Sequence, residues 1–385
     1  MLLVYSRAWR RFLSAVAISS FLISVLYSAG ITKSWQKKVD RTTVGAPYEG
    51  VIPPSIWALT FSPDGRYLAA GVGFINSKQP PYPDFKSYVA LIPANAPDSQ
   101  IRTFEVSARP WANGPRMYWS ADGKYLAISH VSLLYGVIYL LDFEAGREST
   151  IPDDRCDLLG LAAGPRMVMG CFFGGRPEPL IRLVDTEGKV SSEWTLPRRT
   201  VGAGFSPSNG WVALAIADPT AQNVNNPFRE FVILQVTDRR EISRWQFSES
   251  YGWAGAFSVS GSVFCNLFYE RQAPEWRNLI CRDVMSGQKA GAARAYLGSR
   301  SGALITIGGS RVSLEDSPPG KRTVSEMTSG RTLGTFAMGT QHVLPKSSWP
   351  AEFLHGQDYC PAALSPDGRT LAEGCSGKIT AYNLP

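Results

Sequence analysis

Apolar and polar positions alternate with period two along most of this chain, in short runs broken by polar turns. In WALTFSPDGRYLAAG, Trp57, Leu59 and Phe61 lead into a Ser-Pro-Asp-Gly turn and a second apolar run follows. Period-two alternation predicts half-buried strands rather than helices. The turn residues agree, because Pro presets φ, Asp bonds its own backbone and Gly accepts positive φ. The same strand-turn-strand unit returns with SADG at Ser120, SPSNG at Ser206, SVSG at Ser258 and SPDG at Ser365. Degenerate copies begin at Leu161 (LAAGPRMVMG) and Gly298 (GSRSGALITIG). Third strands follow as YVALIP, GVIYLLDF, LIRLVD, FVILQV and LICRDV, each running into another polar turn.

The turn glycines Gly65, Gly123, Gly164, Gly210, Gly261, Gly302 and Gly368 are spaced 58, 41, 46, 51, 41 and 66 residues apart. Those are the lengths of four-stranded blades, so the pattern predicts an all-β, seven-bladed β-propeller over residues 46–385. If Gly298 to Ile307 contributes no blade, the ring has six. The sequence stops on a third strand, KITAYNLP. A strand from ahead of the first repeat, around Thr42 to Ile52, is expected to complete the last sheet and close the ring.

The segment Ser-Pro-Asp-Gly-Arg-x-Leu-Ala, present at Ser62 and Ser365, resembles the repeats of WD-repeat and TolB-like β-propellers, over roughly residues 45–385. The Gly-His and Trp-Asp dipeptides of strict WD repeats are absent. The resemblance implies a binding platform, in some members joined to an enzyme domain.

Charge changes the picture at one end only. The formal net charge is +7, but residues Met1 to Arg41 hold seven basic side chains and one acid, leaving the remainder at +1. A near-neutral folded part gives no electrostatic support for a nucleic-acid partner. Between Arg11 and Lys33 lie 21 residues without a charge, preceded by Arg7, Arg10 and Arg11. A basic start followed by an apolar run predicts a hydrophobic helix serving as signal peptide or signal anchor over residues 1–32, with a basic linker over 33–45. Retained, residues 12–31 have the roughly 20 residues a span requires; cleaved, the best site follows Gly30, with Ser28 at the minus-three place. Either way the expected location is extracytoplasmic, periplasmic or cell-surface, with a membrane contact through this segment.

Six cysteines in an exported chain predict disulfides. Cys156 and Cys171 flank one tight turn and Cys360 and Cys375 another, which sets them opposite one another on first and second strands. Cys265 and Cys281 are expected to tie a second strand to a third. No Cys-x-x-Cys occurs.

For function, the long connections on one face of the ring are the informative places. FINSKQPPYPDFKS from Phe74, ADPTAQNVNNPFRE from Ala217 and YERQAPEWRN from Tyr269 offer the proline-stiffened aromatics Tyr82, Phe85, Phe228 and Trp276. Rigid aromatics beside charges suit a protein or peptide interface, although the same residues could simply cover the seams between blades. No nucleophile elbow, P-loop, His-Glu-x-x-His or strand-linked Gly-x-Gly-x-x-Gly is present. His342, His355 and Asp358 could ligate a metal or be a solvated loop. The expectation is a non-enzymatic, membrane-tethered binding scaffold with no catalytic residue, cofactor or metal. The alternatives are a propeller hydrolase or lactonase with a metal or polar site at the central channel, and a structural module of an envelope complex.

Overall fold

Seven four-stranded antiparallel sheets form among the described residues of the computed structural model, which are 31–39, 43, 54–76, 84–106, 116–129, 136–153, 156–162, 164–172, 178–197, 200–217, 228–246, 254–269, 276–296, 306–316, 321–327, 329–337 and 360–385. From the inner strand outward, blade 1 is Ser55–Phe61, Tyr67–Asn76, Asp84–Pro93 and Arg102–Val106, and blade 2 is Arg116–Trp119, Tyr125–Ser129, Val137–Asp142 and Arg147–Pro152. Blade 3 is Asp157–Leu161, Met167–Cys171, Leu180–Val184 and Val190–Thr195, and blade 4 is Thr200–Ser206, Trp211–Ala217, Phe228–Gln235 and Glu241–Gln246. Blade 5 is Ala254–Phe257, Val263–Tyr269, Trp276–Asp283 and Lys289–Tyr296, and blade 6 is Thr306–Gly308, Arg311–Asp316, Lys321–Glu326 and Thr332–Ala337. Blade 7 joins Ala362–Leu364, Thr370–Cys375 and Lys378–Asn383 to Thr32–Lys38 from the other end of the chain. Each inner strand touches the inner strands of both neighbouring blades all the way round. The seven-bladed reading therefore holds and the six-bladed one does not.

Closure differs in place from the expectation. Thr32–Lys38 is the closing strand, with Thr32 opposite Asn383 and Lys38 opposite Lys378. Thr42 to Ile52 is not, and residues 33–38 are not a linker. The lysines read as linker charge lie on an outermost strand, where one face is solvated and lysine discourages further edge pairing. Trp35 packs against the core from the same strand. The hydrophobic helix expected over residues 1–32 lies outside the described residues up to residue 30, and its last residue begins this strand. No helix among the described residues is long and apolar enough to cross a membrane.

Blade 6 also shifts. Its first turn lies at Gly309, with φ of 54°, rather than at Gly302. An inner strand of three residues was too short for the alternation to register.

The hydrophobic core divides into seven clusters, one for each seam between blades. Blade sheets are therefore apolar on both faces, which corrects the one-face reading of Trp57, Leu59 and Phe61. Leu59 and Phe61 pack toward blade 7 with Ala363 and Ile379, whereas Trp57 packs toward blade 2 with Trp119. The register slips between Ile56 and Ala58, and this β-bulge turns Trp57 to the other face. The same slip recurs in the inner strands of blades 3 and 4.

Near the axis the inner strands must converge, and glycine makes this possible. A Cβ on Gly308 would lie 2.1 Å from the Ser365 carbonyl oxygen, and one on Gly204 would lie 3.0 Å from that of Gly255. The turns explain their own repeat. Ser62 Oγ donates to Asp64 Oδ1 at 2.6 Å while accepting the Tyr67 amide at 3.0 Å, and Asp64 Oδ1 accepts the Arg66 amide at 3.0 Å. Blade 2 repeats the network from Ser120 and Asp122, and blade 7 from Ser365 and Asp367. These serines are buried, so the hydroxyl satisfies a backbone amide that water cannot reach.

All six cysteines pair, as Cys156–Cys171, Cys265–Cys281 and Cys360–Cys375, with Cα atoms 4.2, 3.9 and 4.9 Å apart. Cys265 and Cys281 occupy directly opposed positions on the second and third strands of blade 5. The other two bridges join an inner strand to the second strand of its blade.

Two predictions follow from this framework. Peptide mapping without reductant should recover the three short-range bridges, and the Cys156→Ser/Cys171→Ser variant should lose about 3 kcal/mol in urea unfolding, the chain-entropy value for a loop of this size. An unchanged midpoint would show that strand pairing already supplies that constraint. For Asp64, burial alone pushes the carboxyl up, yet the Ser62 hydroxyl and the Arg66 amide and guanidinium together hold it below its ordinary value; Asp367 behaves alike with Ser365 and Arg369. A lowered folded pKa gives stability that is present above the unfolded carboxylate value and is lost as pH falls through the folded one. Asp64→Asn/Asp367→Asn should therefore cost about 1 kcal/mol per site at pH 7, with the deficit shrinking in melts below about pH 4.

Candidate functional site

The order of strands separates two faces. Connections from first to second strand and from third to fourth all emerge on one face, which also holds the carboxy-terminal Leu384 and Pro385. Connections from second to third strand, and from blade to blade, emerge on the other. In blade 7 the connection on this second face is a two-residue hairpin, Ser376-Gly377, with φ of 45° and 72°. In the other blades it is longer, and the centres of the three long loops named from the sequence lie outside the described residues.

Three of the four aromatic candidates stand at the start of third strands, where those strands leave the long-connection face. Phe85 is opposite Ile75 in blade 1, Phe228 is opposite Ala217 in blade 4, and Trp276 is opposite Tyr296 in blade 5. Phe228 and Trp276 therefore occupy neighbouring blades, while Phe85 lies across the ring. Tyr82 lies outside the described residues, as do His130, His342, His355 and Asp358.

The inner strands open on the same face, and here the structure brings together a group the sequence reading missed. Of the titratable side chains on the described inner strands there are three, Arg116, Tyr118 and Asp157. Arg116 opens the inner strand of blade 2, Asp157 opens that of blade 3, and the two strands touch. The rest of the ring is largely alanine, glycine, valine and leucine. The Tyr118 charge raises the Arg116 pKa first, against desolvation, with a hydrogen bond to Tyr118 and the Asp157 charge adding to the rise. Burial pushes the Asp157 carboxyl up and the Arg116 charge pulls it partly back. Both residues are exposed by surface area, and each is nevertheless desolvated, as befits a side chain at the mouth of a ring and walled by protein on several sides. The available signal was local: RMYWSADG and CDLLGL place a charge where the other blades begin with a small or apolar residue.

One carboxylate beside an arginine can orient a polar ligand but supplies no acid-base pair. Among the described residues, one group has metal-ligand proximity, Cys360, Glu373 and Cys375. Both of its sulfurs are engaged in a disulfide, so it offers no thiolate.

Known structures share this architecture. The β-propeller domain of Cps50 (Swd1) from Myceliophteria thermophila matches with a TM-score of 0.58 at 11% identity, covering 92% of this chain and 100% of that one. A chain of the mitotic checkpoint complex matches with a TM-score of 0.52 at 12% identity, covering 91% of each. A chain of Kuenenia stuttgartiensis hydrazine synthase matches with a TM-score of 0.52 at 14% identity, covering 88% of this chain and 97% of that one. The fold is a WD40-type seven-bladed β-propeller. At such identities the likeness concerns fold alone. No protein-family model matches the chain, and no curated protein does. A TolB-like assignment thus has no family match behind it.

The Asp157 environment gives a signed prediction. A carboxyl whose folded pKa is raised costs stability once pH exceeds the unfolded value, and the cost grows until pH passes the folded one. Asp157→Asn should therefore melt at or above the parent temperature at neutral pH, with its advantage fading toward pH 4. A pH-independent difference between variant and parent would assign the effect to packing instead.

Proposed function

We propose that this chain is exported, tethered to a membrane by residues 12–32, and that its propeller is a non-enzymatic scaffold binding a protein or peptide through the long-connection face. The observation that carries the reading is the division of faces. Tight turns occupy one face, while Phe85, Phe228, Trp276 and the Arg116, Tyr118 and Asp157 group stand at the other. Aromatics and arginine are the residues that most often anchor protein interfaces. Three disulfides favour an oxidising, extracytoplasmic compartment. The presence of a propeller of this fold in the mitotic checkpoint complex supports a role in assembly.

Crosslinking on intact cells, followed by identification of the captured protein, tests this. The parent chain should capture a defined partner, and Phe228→Ala/Trp276→Ala should reduce capture by about tenfold or more, as loss of anchor residues does, without lowering the melting temperature. Equal capture by both chains would sink the proposed face.

A further inference from the structure

We infer that the tight-turn face of the ring lies against the lipid bilayer and that the long-connection face points away from it, an orientation that rests on the tether proposed above. The chain direction at ring closure carries it. Thr32 is opposite Asn383, and the next residue, Leu384, donates its amide to the Arg369 carbonyl in the Ser-Pro-Asp-Gly turn of blade 7. The closing strand therefore begins on the tight-turn face. Ile31, one residue earlier, is half-buried in the seam between blades 6 and 7, where a Cβ on Gly334 would lie 2.0 Å from its Cδ1.

The uncharged run of 21 residues extends through Thr32, so it runs into the sheet with no spacer between them. A membrane span ending there holds the domain at the headgroups, and only the face from which the span leaves can meet them. A basic linker over residues 33–45, had it existed, would have let the ring turn freely.

The exposed apolar side chains agree with this. Among the described residues, three large hydrophobics are exposed, Val190 at 42%, Val259 at 40% and Met285 at 65%. All three lie on the tight-turn face. Val190 follows the outer turn of blade 3, and Val259 and Met285 occupy the two turns of blade 5, next to the blade that receives Ile31. An exposed Met or Val at the headgroup boundary gains from burial among acyl chains, whereas in water it gains nothing.

The test uses the full-length chain in native membranes with a photo-crosslinking residue at one position, as Met285→p-benzoylphenylalanine or Phe228→p-benzoylphenylalanine. Mass spectrometry should find lipid adducts at position 285 and none above background at 228. Equal or reversed labelling in chain that stays in the carbonate-washed membrane overturns the orientation and leaves the tether standing. Release of the chain with a new amino terminus at Ile31 overturns the tether, and the orientation with it.

Discussion

Each sheet in this ring is apolar on both faces, so no blade can be solvated on its own and every seam must be filled by a neighbour. For six of the seven blades chain continuity brings the four strands together. For the last it cannot, and the pairing of Thr32–Lys38 with Lys378–Asn383 completes that sheet. These backbone hydrogen bonds join the two ends of the chain. Without them the third strand of blade 7 would present an unpaired edge, and the core clusters on either side of the blade would lose Trp35 and Ile31.

Closure also fixes how tightly the inner strands meet. Seven strands converging on one axis leave little room for side chains where blades touch, and glycine occupies contacts such as Gly204 against Gly255 and Gly308 against Ser365. Larger residues are accommodated by bulges, as at Trp57, whose ring is turned into the seam with blade 2. The buried serines of the turns follow the same logic. Each brings an acceptor to a backbone amide that the packing of adjacent turns has removed from water.

The two faces differ in what they can do. On one, a repeated hydrogen-bond network and short turns make a rigid, nearly uniform surface, interrupted by Met285 and Val259. On the other, the starts of inner and third strands carry the charged and aromatic residues that distinguish one blade from another. A rigid ring with variable connections on one side suits recognition better than chemistry, because the described inner strands carry one carboxylate and no histidine.

The strand-turn period, the seven-fold repeat and the cysteine partners were legible in the sequence because each depends on residues close together along the chain. Ser-Pro-Asp-Gly encodes its turn within four positions, and a cystine across a hairpin needs only the correct spacing. Three features depend on contacts made far away and were decided by the tertiary structure. Thr32–Lys38 is a strand because Lys378–Asn383 lies beside it; nothing in TKSWQKK itself distinguishes an edge strand from a charged linker. Blade 6 places its turn at Gly309 because the turn of blade 7 comes close enough to leave no room for a side chain. Arg116 and Asp157, 41 residues apart, meet because adjacent inner strands begin at the same end of the ring, a proximity set by closure around the axis and by no local pattern.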